Sequence, residues 1–328
     1  MSKITVLGAG GWAIGLAMTA LDAGHRVTVW SFSKEEADHL RTVRQSEKLL
    51  PGVTVPNEIT VTNDIAAVEG SDFTVIAVPS FAVRETAEKL IPYHTGITVC
   101  ASKGLEQASG KRLSEVVVGI LPDRPYVTLS GPTHAEEVAR KVPTTIVAAS
   151  HNEIAALAVQ KEFSTAYFRI YTNSDLIGVE YGGAFKNVIA VASGIVDGLG
   201  CGDNTKAALI TRGISEITRL GVATGAEMST FLGLAGIGDL VVTCTSVHSR
   251  NHRFGKLVGE GMPVDQALKT VGTVEGYFAV EAAIALSDKL GIEMPISREC
   301  YEILYHGADC RDALRVLMNR PSRAETEC

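Results

Sequence analysis

The first eighteen residues restrict the fold more than any other part of the chain. Ile4-Thr5-Val6-Leu7 reads as a short buried strand, Gly8-Ala9-Gly10-Gly11 follows, and Ala13 resumes at helical spacing through Met18. Glycine at 8 and 10 allows a turn with positive φ. The pattern predicts strand, tight turn and helix, with the first peptide N–H groups and the positive end of the helix dipole over Gly10 and Gly11. A pyrophosphate is favoured there. Gly8, Gly10 and Ala13 fit the G-x-G-x-x-G/A dinucleotide fingerprint, Ala13 being small enough for close helix packing. Trp12 has two readings, a cover for the flat face of a cofactor or plain packing of the first helix.

Arg26–Trp30 reads as the next strand, reached after Asp22-Ala23-Gly24-His25 closes the helix with a glycine C-cap, so the unit is βαβ. An NAD-specific site commonly places an acid near the end of this strand. Here Ser31, Phe32, Ser33 and Lys34 come first, and no acid appears until Glu35. NADP(H) is therefore expected to be accepted, with Ser31, Ser33 and Lys34 as candidate partners of its 2′-phosphate or, alternatively, as caps of the next helix. Further strands are expected at 59–61, 73–78, 97–101, 126–129, 145–148 and 168–171. Helical patterns at 81–91 and 113–121 fall between them, which predicts an α/β fold with a doubly wound parallel sheet.

In such sheets ligands sit beyond the carboxyl ends of the strands. Those ends carry Pro79-Ser80, Ser102-Lys103-Gly104 and Ser130-Gly131-Pro132-Thr133. Lys103 would project an ammonium into that crevice, or else is an ordinary exposed lysine. Thr133 opens a helix expected at 134–140 and offers a hydroxyl with free N–H groups to a second oxyanion.

A chain of 328 residues exceeds one core and suggests two domains, 1–174 dinucleotide-binding and 175–328 helical and substrate-binding. The formal charge of −7 excludes nucleic acid as an expected partner, so an anionic ligand must be held by local cations. Six cysteines show no C-x-x-C pair, which fits a reducing cytoplasm. No signal segment, bilayer-spanning apolar run or metal is expected.

From Asp175, a plausible N-cap, a long helix carries Glu180, Gly182, Gly183, Lys186, Asn187, Ala190 and Ser193. Gly183, Lys186, Ala190 and Ser193 share one stripe. Helix glycines cost about 1 kcal/mol each against alanine, which implies close approach of another element or a ligand. Partly desolvated on that face, Lys186 would have a lowered pKa and exchange a proton; the alternative is a snorkelling lysine at an interface. Asp239 and Thr243, four apart, share a face, and Asp239 is either a helix-start acid or the partner of Lys186. Arg250, flanked by Ser249 and Asn251, is the best phosphate clamp. Thr273-Val274-Glu275-Gly276-Tyr277 reads as an isolated turn carrying a carboxylate, and the tail 321–328 as loose.

With Gly8-Ala9-Gly10, Ser102-Lys103-Gly104-Leu105-Glu106, Ser130-Gly131-Pro132-Thr133, Gly182-Gly183-Ala184-Phe185-Lys186-Asn187, Gly238-Asp239-Leu240, Ser249-Arg250-Asn251 and Glu275-Gly276-Tyr277 in order, the chain to about Leu317 resembles the bacterial NAD(P)-dependent glycerol-3-phosphate dehydrogenase family. The resemblance implies a Rossmann domain, an all-helical C-terminal domain and a cytoplasmic homodimer. It also implies reversible reduction of dihydroxyacetone phosphate to sn-glycerol 3-phosphate with NADP(H) or NAD(H), feeding phospholipid synthesis.

By that resemblance Lys186 is the proton donor, Lys103 assists it, and Asp239 and Thr243 orient lysine and substrate. Gly131, Thr133, Ser249, Arg250 and Asn251 match substrate positions. Gly8, Gly10, Gly11, Trp12, Phe32, Lys103, Ala135, Arg250, Thr273 and Glu275 match cofactor positions. Three residues depart from the family pattern: Gly11 and Ala13 stand where Ser and Gly are frequent, and Phe32 replaces a basic or polar residue. The rival readings are a hydroxy-acid dehydrogenase of the same plan, which would need a carboxylate clamp, and a silent NADPH sensor, which would not need Lys186, Asp239 and Arg250 together.

Overall fold

The strand at the N-terminus, β1 (Lys3–Leu7), lies inside an eight-stranded sheet of the computed structural model, which describes residues 1–46, 50–322 and 324–325. Chain order continues α1 (Gly11–Asp22), β2 (Arg26–Trp30), α2 (Lys34–Val43), a hairpin of β3 (Gln45–Ser46) with β4 (Leu50–Thr54), β5 (Thr60–Thr62) and β6 (Ser71–Ile76). Then come α3 (Val83–Glu88), β7 (Thr95–Cys100), α4 (Leu113–Ile120), β8 (Tyr126–Ser130), α5 (Ala135–Ala139), β9 (Thr144–Ala149), α6 (Glu153–Phe163) and β10 (Phe168–Asn173). The sheet order is β10-β9-β8-β7-β6-β1-β2-β5. Every strand expected in the main sheet is present; the β3–β4 hairpin was not expected.

The expectation of a wholly parallel sheet needs one correction, because β8 and β9 pair antiparallel, with Leu129 opposite Ala148. The cause is the connection. Only 13 residues, with the five-residue α5 among them, link β8 to β9, against 18 in the connections of the parallel pairs β6–β7 and β9–β10. β9 therefore re-enters from the edge that β8 left, and β10 follows it in parallel. The core beneath is aliphatic, with Ile4, Val6, Val29, Val75, Val99, Val127 and Ile146 buried between α1, α5, α6 and the strands.

The described chain divides into two compact units, 1–180 and 181–328. Helix α7 (Leu176–Gly198) spans the division, and Asp175 caps it by accepting from the Gly178 N–H at 2.8 Å. The rest is helical: α8 (Asp203–Ala223), α9 (Met228–Phe231), a π-turn (Leu234–Gly238), α10 (Asp239–Thr245), α11 (Arg250–Gly259), α12 (Val264–Val271), α13 (Glu275–Leu290), α14 (Pro295–His306) and α15 (Cys310–Met318). One apolar window, Met228–Thr245, has a mean hydropathy of 1.4 over 18 residues. The structure breaks it into α9, the π-turn and α10. Half of the tail expected to be loose at 321–328, Cys328 included, lies outside the described residues; the other five cysteines are free thiols.

Of the glycines noted in α7, Gly182 marks close approach of the π-turn, since a methyl there would lie 2.6 Å from the Ala235 carbonyl oxygen; two further glycines, Gly194 and Gly198, are approached by α11. A methyl group at Gly194 would lie 2.1 Å from the His252 carbonyl oxygen, and one at Gly198 2.3 Å from that of Lys256. From the other side, Gly255 and Gly259 would meet the carbonyls of Val191 and Ile195 at 2.0 and 2.4 Å. Two G-x-x-x-G rows thus interlock backbone against backbone. Gly255→Ala should lower the stability of the helical unit by about 3 kcal/mol or more, read as a drop in urea midpoint. Gly119→Ala in α4, with nothing within 4 Å of the new methyl, should leave the midpoint unchanged or slightly raised.

Glu216 of α8 borders a cavity of about 560 Å³ lined largely by apolar side chains of α7, α8, α14 and α15. Burial pushes its carboxyl up to about 7, against hydrogen bonds from the Ile296 N–H at 2.6 Å and the Ser297 N–H and Oγ at 3.2 Å. The folded chain therefore holds this proton more tightly than the unfolded chain does. The resulting stabilisation, about 3 kcal/mol, is complete below the ordinary glutamate range and is lost as pH rises through about 7. Urea midpoints should fall between pH 5 and 8, and Glu216→Gln should flatten that decline.

Candidate active site

In the sheet unit, Gly8 has φ +122°, and a Cβ there would strike the Ala77 carbonyl oxygen at 2.7 Å, so only glycine fits. Gly10 differs from expectation: it has φ −68° and N-caps α1 in extended conformation. Its role is spatial, since nothing lies within 4 Å of where its Cβ would be and no side chain caps the helix. The first N–H groups of α1, at Gly11 and Trp12, thus open onto clear space above the turn, a cradle suited to an anionic diphosphate. Trp12 is partly buried against the core and donates its indole N–H to the Ala101 carbonyl at 3.0 Å, which favours the packing reading.

At the end of β2 the helix-cap alternative holds for Ser33, whose hydroxyl accepts from the Glu36 N–H at 3.2 Å. Ser31 is buried and donates to the Glu36 carboxylate. Glu36, not Glu35, is therefore the acid at this strand end. Lys34 is exposed, and so is Phe32, 72% accessible, edge-on to Trp30 and with Lys89 Nζ 5.6 Å from its ring centre.

Lys103 is not a free surface lysine. Its ammonium crosses from the end of β7 to the end of β8, donating to the Gly131 carbonyl at 2.7 Å and to Thr133 Oγ1 at 3.4 Å. Gly131, at φ +153°, packs against Ile146 of β9, and the Thr133 hydroxyl donates to the Gly131 carbonyl at 3.1 Å. Three expected substrate residues thus form one cluster. Ala135 begins α5, which packs on α1.

In the helical unit Lys186 is 4% exposed, midway along α7, and ion-pairs with the Asp239 carboxylate, itself 1% exposed. The lysine also donates to Thr243 Oγ1 at 2.7 Å, and Thr243 returns its hydroxyl proton to the Asp239 carbonyl at 2.6 Å. Both readings of Asp239 hold, as it opens α10 and partners Lys186. The π-turn just before it, where a methyl at Gly236 would meet the Phe231 carbonyl at 2.1 Å, sets the angle at which α10 starts. Two members of the predicted stripe meet α10, Lys186 as described and Ser193, which donates to the Cys244 carbonyl at 3.1 Å. Burial pushes the Cys244 thiol up to about 12, even with the Lys186 ammonium nearby, so it stays neutral.

Ser249 is the N-cap of α11 and accepts from the His252 N–H at 3.2 Å. Arg250, the first residue of α11, is exposed. Asn251 is partly committed to the fold: it donates to Asn187 Oδ1 at 2.9 Å and accepts from the Gly276 N–H at 2.8 Å. Those bonds tie the starts of α11 and α13 to the residue after Lys186. Asn187, assigned no site role from the sequence, is thus the hinge-pin of the cluster. Glu275 does not lie in an isolated turn, as it begins α13, with Thr273 two residues before it.

These two clusters, a glycine turn with a bridging lysine and a buried Lys–Asp–Thr triad beside an exposed arginine, carry the order of motifs noted in the sequence. The N-terminal profile of NAD-dependent glycerol-3-phosphate dehydrogenase matches residues 3–156, and the C-terminal profile matches 175–315. The chain is 52% identical to the NAD(P)+ glycerol-3-phosphate dehydrogenase of Desulfitobacterium hafniense (strain Y51), over 100% of this chain and 94% of that one. It is 48% identical to the same enzyme of Geobacillus thermodenitrificans (strain NG80-2), over 99% and 97%. The crystal structure of glycerol-3-phosphate dehydrogenase (gpsA) from Coxiella burnetii superposes with a TM-score of 0.93 at 37% identity, covering 97% of this chain and 99% of that one. A ketopantoate reductase from Ralstonia eutropha JMP134 shares the fold at 15% identity and a TM-score of 0.61. With both halves matched and half of all positions identical to named relatives, this chain belongs to the NAD-dependent glycerol-3-phosphate dehydrogenase family of oxidoreductases.

Proposed function

We propose that this protein reduces dihydroxyacetone phosphate reversibly to sn-glycerol 3-phosphate, supplying the glycerol backbone of phospholipids. The observation that carries this reading is the buried Lys186 ammonium, held between Asp239 and Thr243. A fixed cation out of water stabilises negative charge growing on a carbonyl oxygen far better than a solvated one does.

NADPH or NADH, when bound, supplies a hydride to C2 of the ketone. The glycine turn fits such a group, and Gly8, Gly10, Gly11, Trp12, Phe32, Lys103, Ala135, Arg250, Thr273 and Glu275 are the residues we assign to it. Lys186 gives a proton from Nζ to the C2 oxygen, so ketone becomes secondary alcohol, and takes it back in the reverse direction. Asp239 and Thr243 each accept an Nζ hydrogen and so hold the ammonium in place. Lys103, Gly131 and Thr133 bind substrate oxygens, and Arg250 with Ser249 and Asn251 grips the phosphate. We further propose a homodimer in the cytoplasm, whose reducing conditions suit the free thiols of the described residues.

The test is an absorbance assay of NADPH and NADH oxidation by the purified protein. Dihydroxyacetone phosphate should be turned over, while 2-oxo and 3-oxo acids should not, since the exposed arginine serves a small phosphate. Consumption of oxo acids with no response to the triose phosphate would replace this reading with the hydroxy-acid dehydrogenase alternative. Titrating both nucleotides in the same assay measures the cofactor preference.

A further inference from the structure

We infer that Asp197, acting through His252, is a positioning group that fixes the first turn of α11 and thereby the aim of Arg250. The inference rests on Arg250 being the phosphate grip proposed above. Asp197 stands in the last turn of α7, eleven residues beyond Lys186. Its Oδ2 receives Lys206 Nζ of α8 at 2.8 Å and meets His252 Nε2 of α11 at 2.7 Å. His252 is 9% exposed, in a helix whose backbone is seated on α7 by the interlocked glycines.

Asp197 is partly buried, which favours its neutral form, but bonds from Lys206 and then His252 outweigh this and hold its carboxyl below the usual aspartate range. An ionised carboxylate only accepts, so the proton of this bond sits on His252 Nε2. The imidazole is therefore a donor locked in one orientation. Its own main-chain N–H is the group that Ser249 caps, and its main-chain carbonyl lies on Gly194. Residue 252 is thus held at its side chain, its N–H and its carbonyl, while Asn251 beside it is held to Asn187. Arg250, next along, has no hydrogen bond or ion pair among the described residues, so the direction of its guanidinium is set by the backbone from which it grows. A long side chain on a loose helix start would spread over many rotamers, and ordering it would weaken phosphate binding.

A double-mutant cycle tests this. Asp197→Asn should raise the KM for dihydroxyacetone phosphate about fivefold with kcat within about twofold of wild type. In an Arg250→Ala background the same substitution should change KM by less than about 1.5-fold, because there is no guanidinium left to aim. His252→Gln, which keeps a donor near the Nε2 position, should stay close to wild type, while His252→Leu should behave like Asp197→Asn. Equal factors for Asp197→Asn in both backgrounds, or no effect in either, would overturn the inference while leaving the arginine grip intact. An Arg250→Ala variant with a normal KM would overturn the grip and this inference together. Should Asp197→Asn fail to fold, the histidine pair decides: indistinguishable KM values for Gln and Leu refute the positioning role.

Discussion

Lys186→Ala should lower kcat by about 10³-fold or more while the Kd for NADPH stays within about twofold. The loss combines two effects, removal of the proton donor and removal of the cation beside the developing oxyanion. Nucleotide affinity is spared because Lys186 is not among the residues assigned to the nucleotide. The substitution also leaves Asp239 buried without its cation. Breaking a buried pair from one side costs about 3–5 kcal/mol, so the urea midpoint should fall as well. Lys186→Met combined with Asp239→Leu should recover most of that midpoint and none of the turnover. Equal losses of NADPH affinity and turnover in the single variant would mean that the lysine serves the fold only.

Arg250→Ala should raise the KM for dihydroxyacetone phosphate by roughly 100-fold, corresponding to about 3 kcal/mol for a lost bidentate, charge-assisted pair. The effect on kcat should be small, because the phosphate is bound alike in ground and transition states. Arg250→Lys keeps the charge and loses the fork, so an intermediate loss of about tenfold is expected. An unchanged KM in the alanine variant would remove the arginine from the phosphate site. Stability should hardly respond, since the side chain is exposed.

How far the sequence carried this structure follows from which signals are local. Strands such as Ile4 to Leu7 and Arg26–Trp30 are apolar runs ended by glycine or polar residues, and both lie where expected. Lys186, Asp239 and Thr243 were legible because each was odd alone: a lysine among small residues, and an acid and hydroxyl four apart behind a glycine run. Gly10 was misread because the fingerprint records where glycine stands without recording why; its need is clear space, not positive φ. The reversal of β9 hid in the shortness of α5, which helical periodicity alone does not reveal. The Asp197–His252–Lys206 cluster was missed because its members lie 55 and 9 residues apart with no shared spacing. The paired rows Gly194–Gly198 and Gly255–Gly259 did carry a signal, as two four-residue glycine steps in separate helices imply one crossing.

Helix α7 has no solvent-facing side between 178 and 196, so Lys186 grows from sealed backbone. Peptide hydrogens there should trade with deuterium only when the helical unit opens, which makes the Lys186 stretch one of the slowest-exchanging parts of the chain. On warming, inactivation and global melting should therefore coincide, with no softened yet working form between them.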